Sequence, residues 1–201
     1  MDLQHIGVKI FARPGQGLDL GPFIGLFHRW IQQQVLPDLL MLDVADYQHV
    51  HEGPGVMLIC QEGHFAMDQE GGRLGLLYTN KRLATGDPSQ RFRTAIERTL
   101  IAARRLEQDP ALEGGLTFAG DELLIKVDDH LFVQHEADAF ESVRGELEPV
   151  LAGLGGGKAP ALQRIEDRGG GLVLSARLGA SAGTAELLDR VRALDSSAAG
   201  R

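Results

Sequence analysis

Glu52-Gly53-Pro54-Gly55-Val56-Met57-Leu58-Ile59-Cys60 is the stretch that decides the fold class. Four turn-forming residues stand directly before a run that is apolar at consecutive positions, as a strand buried on both faces requires. Upstream, Leu39-Leu40-Met41-Leu42 continues into Val44-Ala45 as another largely buried strand. Downstream, Glu70-Gly71-Gly72-Arg73 reads as a hairpin turn with residues 74–78 returning. The middle of the first half is therefore a meander of short strands.

Further out, Ile6-Gly7-Val8-Lys9-Ile10-Phe11 reads as a strand. Residues 22–35 read as a helix with Pro22 in its first turn, where a missing N–H costs nothing. Phe23, Leu26, Phe27, Trp30 and Ile31 recur at helical spacing, and Pro37 stops the run. That spacing assigns Trp30 to the core.

Asp87-Pro88-Ser89-Gln90 is a helix start: Asp87 as N-cap, Pro88 at the first position, Gln90 placed as in a capping box. The helix runs to about Glu107, with Phe92, Ala95, Ile96, Thr99, Leu100, Ala103 and Leu106 as its apolar face. Residues 116–118 and 123–127 read as a hairpin turning at Gly120-Asp121. Residues 136–148 are helical, with Pro149 bending or restarting the helix. Residues 162–166 and 172–176 form a further hairpin joined by Gly169-Gly170-Gly171, and residues 185–194 a closing helix.

Hairpins outnumber parallel crossovers. The expected class is α+β, with mainly antiparallel sheets and about four helices in two lobes: a β-α-β-meander, then α-ββαββα. Breaks would fall at 83–86 or 109–115, and both are short. Residues 1–195 read as a single two-lobed domain with a sub-boundary near 83–88, and residues 196–201 as a fraying tail.

The chain has 201 residues, 43% of them hydrophobic and 24% charged, enough for a core without disulfides. Its net charge of −8 argues against generic nucleic-acid binding, which requires a basic face. The single cysteine, the start Met1-Asp2-Leu3-Gln4-His5 and the absence of a run near 18 apolar residues point to a cytoplasmic protein with no membrane partner. Charge is uneven: residues 73–105 carry eight basic residues and two acidic ones, which leaves −14 on the remainder. One positive patch on a negative body favours pairing with copies of itself or with an acidic protein partner. Arg91, Arg98 and Arg105 repeat every seven residues and are the candidate partner- or anion-binding stripe.

His49, His51, Glu62 and His64 are the candidate metal ligands, since each pair spaced by one residue shares a face of an extended segment. With a tight turn at 52–55, His49 would face Leu58 and Glu62 would lie opposite Ala45, about 13 Å along the ladder. A turn at Glu62-Gly63 also separates the pairs, so convergence would need a bulge or an open loop. Gly15-x-Gly17-x-x-x-Gly21 lies between strand and helix, as a dinucleotide fingerprint does, but its spacing is a variant and Asp19 would oppose a pyrophosphate. The run 153–158 lacks the first glycine and the Ser/Thr of a phosphate-binding P-loop and follows a helix. Cys60 sits in an apolar run that would raise its thiol pKa. Asp43, Asp46, Glu62 and Asp68 are the carboxylates placed for acid–base work, and exposed strand faces carry such residues for solubility.

No cofactor is assigned. The reading favoured by the residues is a non-catalytic protein-interaction or assembly module that self-associates. The alternative is a small-molecule enzyme or sensor, metal-binding or not, with a site near Tyr47, His49, His51 and His64.

Overall fold

The computed structural model describes residues 3–13, 19–51, 53–81, 86–128, 136–166 and 171–198. The dinucleotide-like glycines Gly15 and Gly17, and Glu52, lie outside them. Eight strands and four α-helices follow one another along the described residues. Strand β1 (Ile6–Ala12) leads into helix α1 (Gly21–Gln33). Four strands then follow in a meander: β2 (Met41–Tyr47), β3 (Gly55–Cys60), β4 (Gly63–Asp68) and β5 (Gly75–Asn80). The second half runs α2 (Pro88–Glu107), β6 (Phe118–Val127), α3 (Glu136–Leu154), β7 (Ala161–Ile165), β8 (Leu172–Arg177) and α4 (Thr184–Ala198).

The α+β class is as expected, and all eight strands join one antiparallel sheet in the order β2-β3-β4-β5-β1-β6-β8-β7. The first strand of the chain is thus central, between β5 and β6, and the sheet runs continuously through both halves.

Strand side chains alternate between faces, so the ladder sorts them into rows. One row crosses all eight strands as Val44, Leu58, Phe65, Tyr78, Val8, Ile125, Leu174 and Arg164. Its central six members are buried in the hydrophobic cluster that also holds Phe23, Phe27 and Trp30 of α1, Phe92, Ile96 and Leu100 of α2, Val143 and Leu147 of α3, and Leu187 and Val191 of α4. All four helices therefore cover the same face. Trp30 is buried and donates from its indole N–H to Asp109 at 3.2 Å, which holds α1 to the segment after α2.

Local chemistry accounts for the helix that seats this core. Asp87 caps α2 by accepting from the Gln90 N–H at 2.8 Å, with Pro88 in the first turn. Every residue of the expected apolar face of α2 is buried, and Ala102 joins them.

Two expectations fail for physical reasons. Residues 116–127 are not a hairpin: β6 is one strand that pairs with β1 along its length, with a register shift between Ile10 and Ala12. Gly120 serves close approach, not reversal, because a Cβ there would lie 1.8 Å from the Ala182 carbonyl oxygen. The second half is accordingly α-β-α-β-β-α. Pro149 does not interrupt α3, which continues to Leu154. Proline removes one backbone donor and crowds the preceding turn, and the burial of Val150, Leu151 and Leu154 in the core holds the residues beyond it in the helix.

Gly120→Ala is expected to lower stability by about 1–3 kcal/mol through overpacking against the 182 carbonyl. Gly25→Ala, on an open position of α1, is expected to raise it by about 0.5–1 kcal/mol. Urea midpoints of the two variants moving in the same direction would contradict this assignment of their roles.

Candidate functional site

The face of the sheet opposite the helices carries the other half of the alternation. Its central row reads Ala45, Met57, Ala66, Leu77, Lys9, Leu124, Ser175 and Gln163 across the eight strands. The adjacent row reads Asp43, Ile59, His64, Thr79, Gly7, Lys126, Val173 and Ile165. No helix among the described residues packs on these rows, and Met57, Ile59, Leu77, Leu124 and Ile165 do not belong to the core cluster. Ile165 is 39% exposed.

Three cations of this face are neutralised in place. Lys9, in mid-strand, is 1% exposed and its Nζ lies 2.5 Å from Asp68 Oδ2. Burial pulls its pKa below the usual lysine value, and the Asp68 carboxylate opposes that pull. Asp68 Oδ1 accepts from the Glu70 N–H at 3.1 Å, so the same carboxylate shapes the β4–β5 connection. That connection folds over the sheet. Glu70 pairs with Lys126, and Arg73 lies with its guanidinium carbon 3.6 Å from the centroid of the Phe11 ring. Arg73 also makes two parallel hydrogen bonds of 3.0 Å to the Glu122 carboxylate. Those bonds, with one from Ser175, hold Glu122 below the ordinary carboxylate range. A cavity of about 270 Å³ remains between Lys9, Phe11, Arg73, Leu124, Lys126 and Ile165.

The four candidate metal ligands are not brought together. The β2–β3 ladder ends at Tyr47 opposite Gly55, so His49 and His51 stand in the connection 48–54 and neither faces a β3 residue. Glu62 and His64 lie at the other end of β3, roughly 17 Å away at strand rise. The expected pairing of His49 with Leu58 and of Glu62 with Ala45 is corrected: Leu58 faces Val44, and Ala45 faces Met57. Among the described residues no group of three or more His, Cys, Asp or Glu is placed to hold a metal ion. His51 and Tyr47 line a cavity of about 600 Å³ with Asp19, Val50 and Gln69, and the Tyr47 ring stacks on His49 at 6.5 Å. His64 Nδ1 and Glu62 Oε2 are buried with no hydrogen-bond partner. Burial and nearby Lys81 pull the His64 pKa below its ordinary value. Cys60 is buried and its thiol is pushed up to about 12, first by desolvation, which removes it as a nucleophile at neutral pH.

The arginine stripe divides. Arg91 donates to the Gly86 and Leu3 carbonyls, and Arg98 donates to the Tyr78 hydroxyl at 2.5 Å. Arg105 is exposed and holds no such contact among the described residues. The basic segment 73–105 is not one patch, because Arg73 lies on the uncovered face and α2 on the other. Lys9, Arg73, Glu122 and Lys126 escaped the sequence reading. The signal that would have found them was the lysine inside an otherwise apolar strand, which demands a buried carboxylate.

No known family, curated protein or solved structure matches this chain. No helix among the described residues is long and apolar enough to cross a membrane.

Two outcomes check this geometry. Lys9→Met is expected to cost about 3–5 kcal/mol by stranding a buried carboxylate, and Lys9→Met with Asp68→Leu to regain most of it. Denaturant melts that show the double variant no better than the single one would refute the pairing. His64, with its folded pKa below the unfolded 6.5, contributes stability above pH 6.5 that is lost as pH falls through the folded value. The drop in urea midpoint between pH 7.5 and 5.5 is expected to shrink in His64→Asn; an identical drop would contradict it.

Proposed function

We propose that this protein is a non-catalytic assembly module that pairs with a second copy of itself through the sheet face opposite the helices. The observation that carries this reading is the pair of rows centred on Met57, Leu77, Leu124 and Ile165, lying opposite the only core cluster of the described residues. Eight strands about 4.8 Å apart and five residues long make a face of roughly 34 Å by 17 Å. That is roughly 580 Å², below the about 800 Å² that each partner contributes to a standard interface and in the range of weaker, transient contacts. Lys9, Arg73 and Lys126 are each satisfied by Asp68, Glu122 and Glu70 of the same chain, so a sheet stacked on this face meets no unpaired charge from them. A two-fold axis through the face places like rows against each other, the arrangement of most homodimers.

A second reading, a small-molecule sensor, rests on the 600 Å³ cavity beside Tyr47 and His51, a volume within the range of ligand sites.

Sedimentation velocity at increasing concentration separates the readings. The native chain is expected to dimerise, to remain dimeric at high salt because the contact is apolar, and to become monomeric in Leu124→Glu without losing its fold. A native chain that stays monomeric at 100 µM (about the upper end of the titration), or a Leu124→Glu variant that still dimerises, would overturn the assembly reading.

A further inference from the structure

A second, unrelated site stands on the helical side. A cavity of about 250 Å³ opens between α2 and α4, lined by Ile101, Arg104, Arg105, Gln108, Leu188 and Arg192. Three of those six side chains are guanidiniums, supplied by two different helices, and none is a carboxylate. In a chain of net charge −8, that is a local inversion of sign.

We infer that this cavity binds a phosphoryl group, free or as a small monoester. Arg104 and Arg105 have no ion pair and no side-chain hydrogen bond among the described residues. Arg192 is fixed differently: its Nε donates to Glu97 at 2.8 Å, which orients the guanidinium and leaves its two terminal nitrogens unspent. Glu97 itself does not line the cavity. A tetrahedral dianion accepts from several fork-shaped donors at once, which arginine supplies and lysine does not.

Helix polarity accounts for only part of this arrangement. Arg104 and Arg105 occupy the last turn of α2, where the helix end carries about half a negative charge and favours cations. That half charge opposes an anion, but it does not offset two unpaired guanidiniums and a third from across the cavity. Arg192 reaches the same space from α4 while Glu97 holds its Nε and offsets its charge, and the two guanidiniums that remain repel each other unless an anion lies between them. The apolar wall of Ile101 and Leu188 gives a monoester's organic portion a surface to rest on. The stripe of Arg91, Arg98 and Arg105 is thereby replaced as an anion site, since only Arg105 of the three reaches the cavity.

The test is a calorimetric titration of the full chain with inorganic phosphate and, separately, with glycerol 2-phosphate, at constant ionic strength in chloride. Saturable one-to-one binding is expected, weakened at least tenfold both in Arg104→Gln/Arg105→Gln and in Arg192→Gln, and unchanged in Arg144→Gln on α3. Tighter binding of the ester identifies a phosphate monoester as the ligand; tighter binding of phosphate identifies the free anion. Absence of saturation with both probes, or equal affinity in native and Arg192→Gln protein, would overturn the site. Arg192 lies outside the core, so that variant keeps the test decisive if the double variant fails to fold.

Discussion

Among the described residues the helices lie on one side of the sheet only, and the rest of the structure follows from that constraint. Each strand must send alternate residues into the core, and the residues between them must then tolerate a face no helix covers. The core-facing row is filled by Leu58, Phe65, Tyr78, Val8, Ile125 and Leu174. The opposite row keeps apolar residues at Met57, Leu77 and Leu124, and admits charge only where a carboxylate on a neighbouring strand or connection answers it. Lys9 and Asp68 illustrate the rule. Neither is tolerable alone at that burial, and together they also fix the connection whose Glu70 and Arg73 reach across to β6.

The secondary structure was legible in the sequence wherever local chemistry determines it. Asp87 and Pro88 announce α2, and the period of Phe92, Ile96 and Leu100 names its buried face. The Gly-Pro-Gly turn before Val56 delimits β3. Reading failed where a residue's role is set by something distant in sequence. Gly120 carries the composition of a turn, yet it is glycine because the chain near Ala182 passes against it. Pro149 carries the signature of a helix break, yet Val150, Leu151 and Leu154 beyond it are buried in the core and keep the helix continuous.

The site was less legible than the fold. Histidines invite attention by type, and the spacing of His49, His51, Glu62 and His64 is compatible with ligation. Strand β3 lies between the two pairs, so they occupy opposite ends of a hairpin ladder. Net charge misled in the same way. Summing residues 73–105 finds a strongly basic segment, but the sheet passes through it, and its arginines separate onto two faces with different partners. Linear charge counts cannot distinguish one patch from two surfaces facing apart.

The place of β1 has a consequence for synthesis of the chain. It is synthesised well before both its neighbours: β1 begins at Ile6, β5 at Gly75 and β6 at Phe118. Until β5 has been made this hydrophobic strand has neither edge occupied, until β6 has been made one edge stays open, and closing such distant pairings is slow. Nascent strands in that condition are prone to join one another. Lys9, placed among Val8, Ile10 and Phe11, then acts as a guard, since an unanswered ammonium is costly to trap in an intermolecular ladder. The same side chain that anchors the finished sheet thus protects the unfinished one.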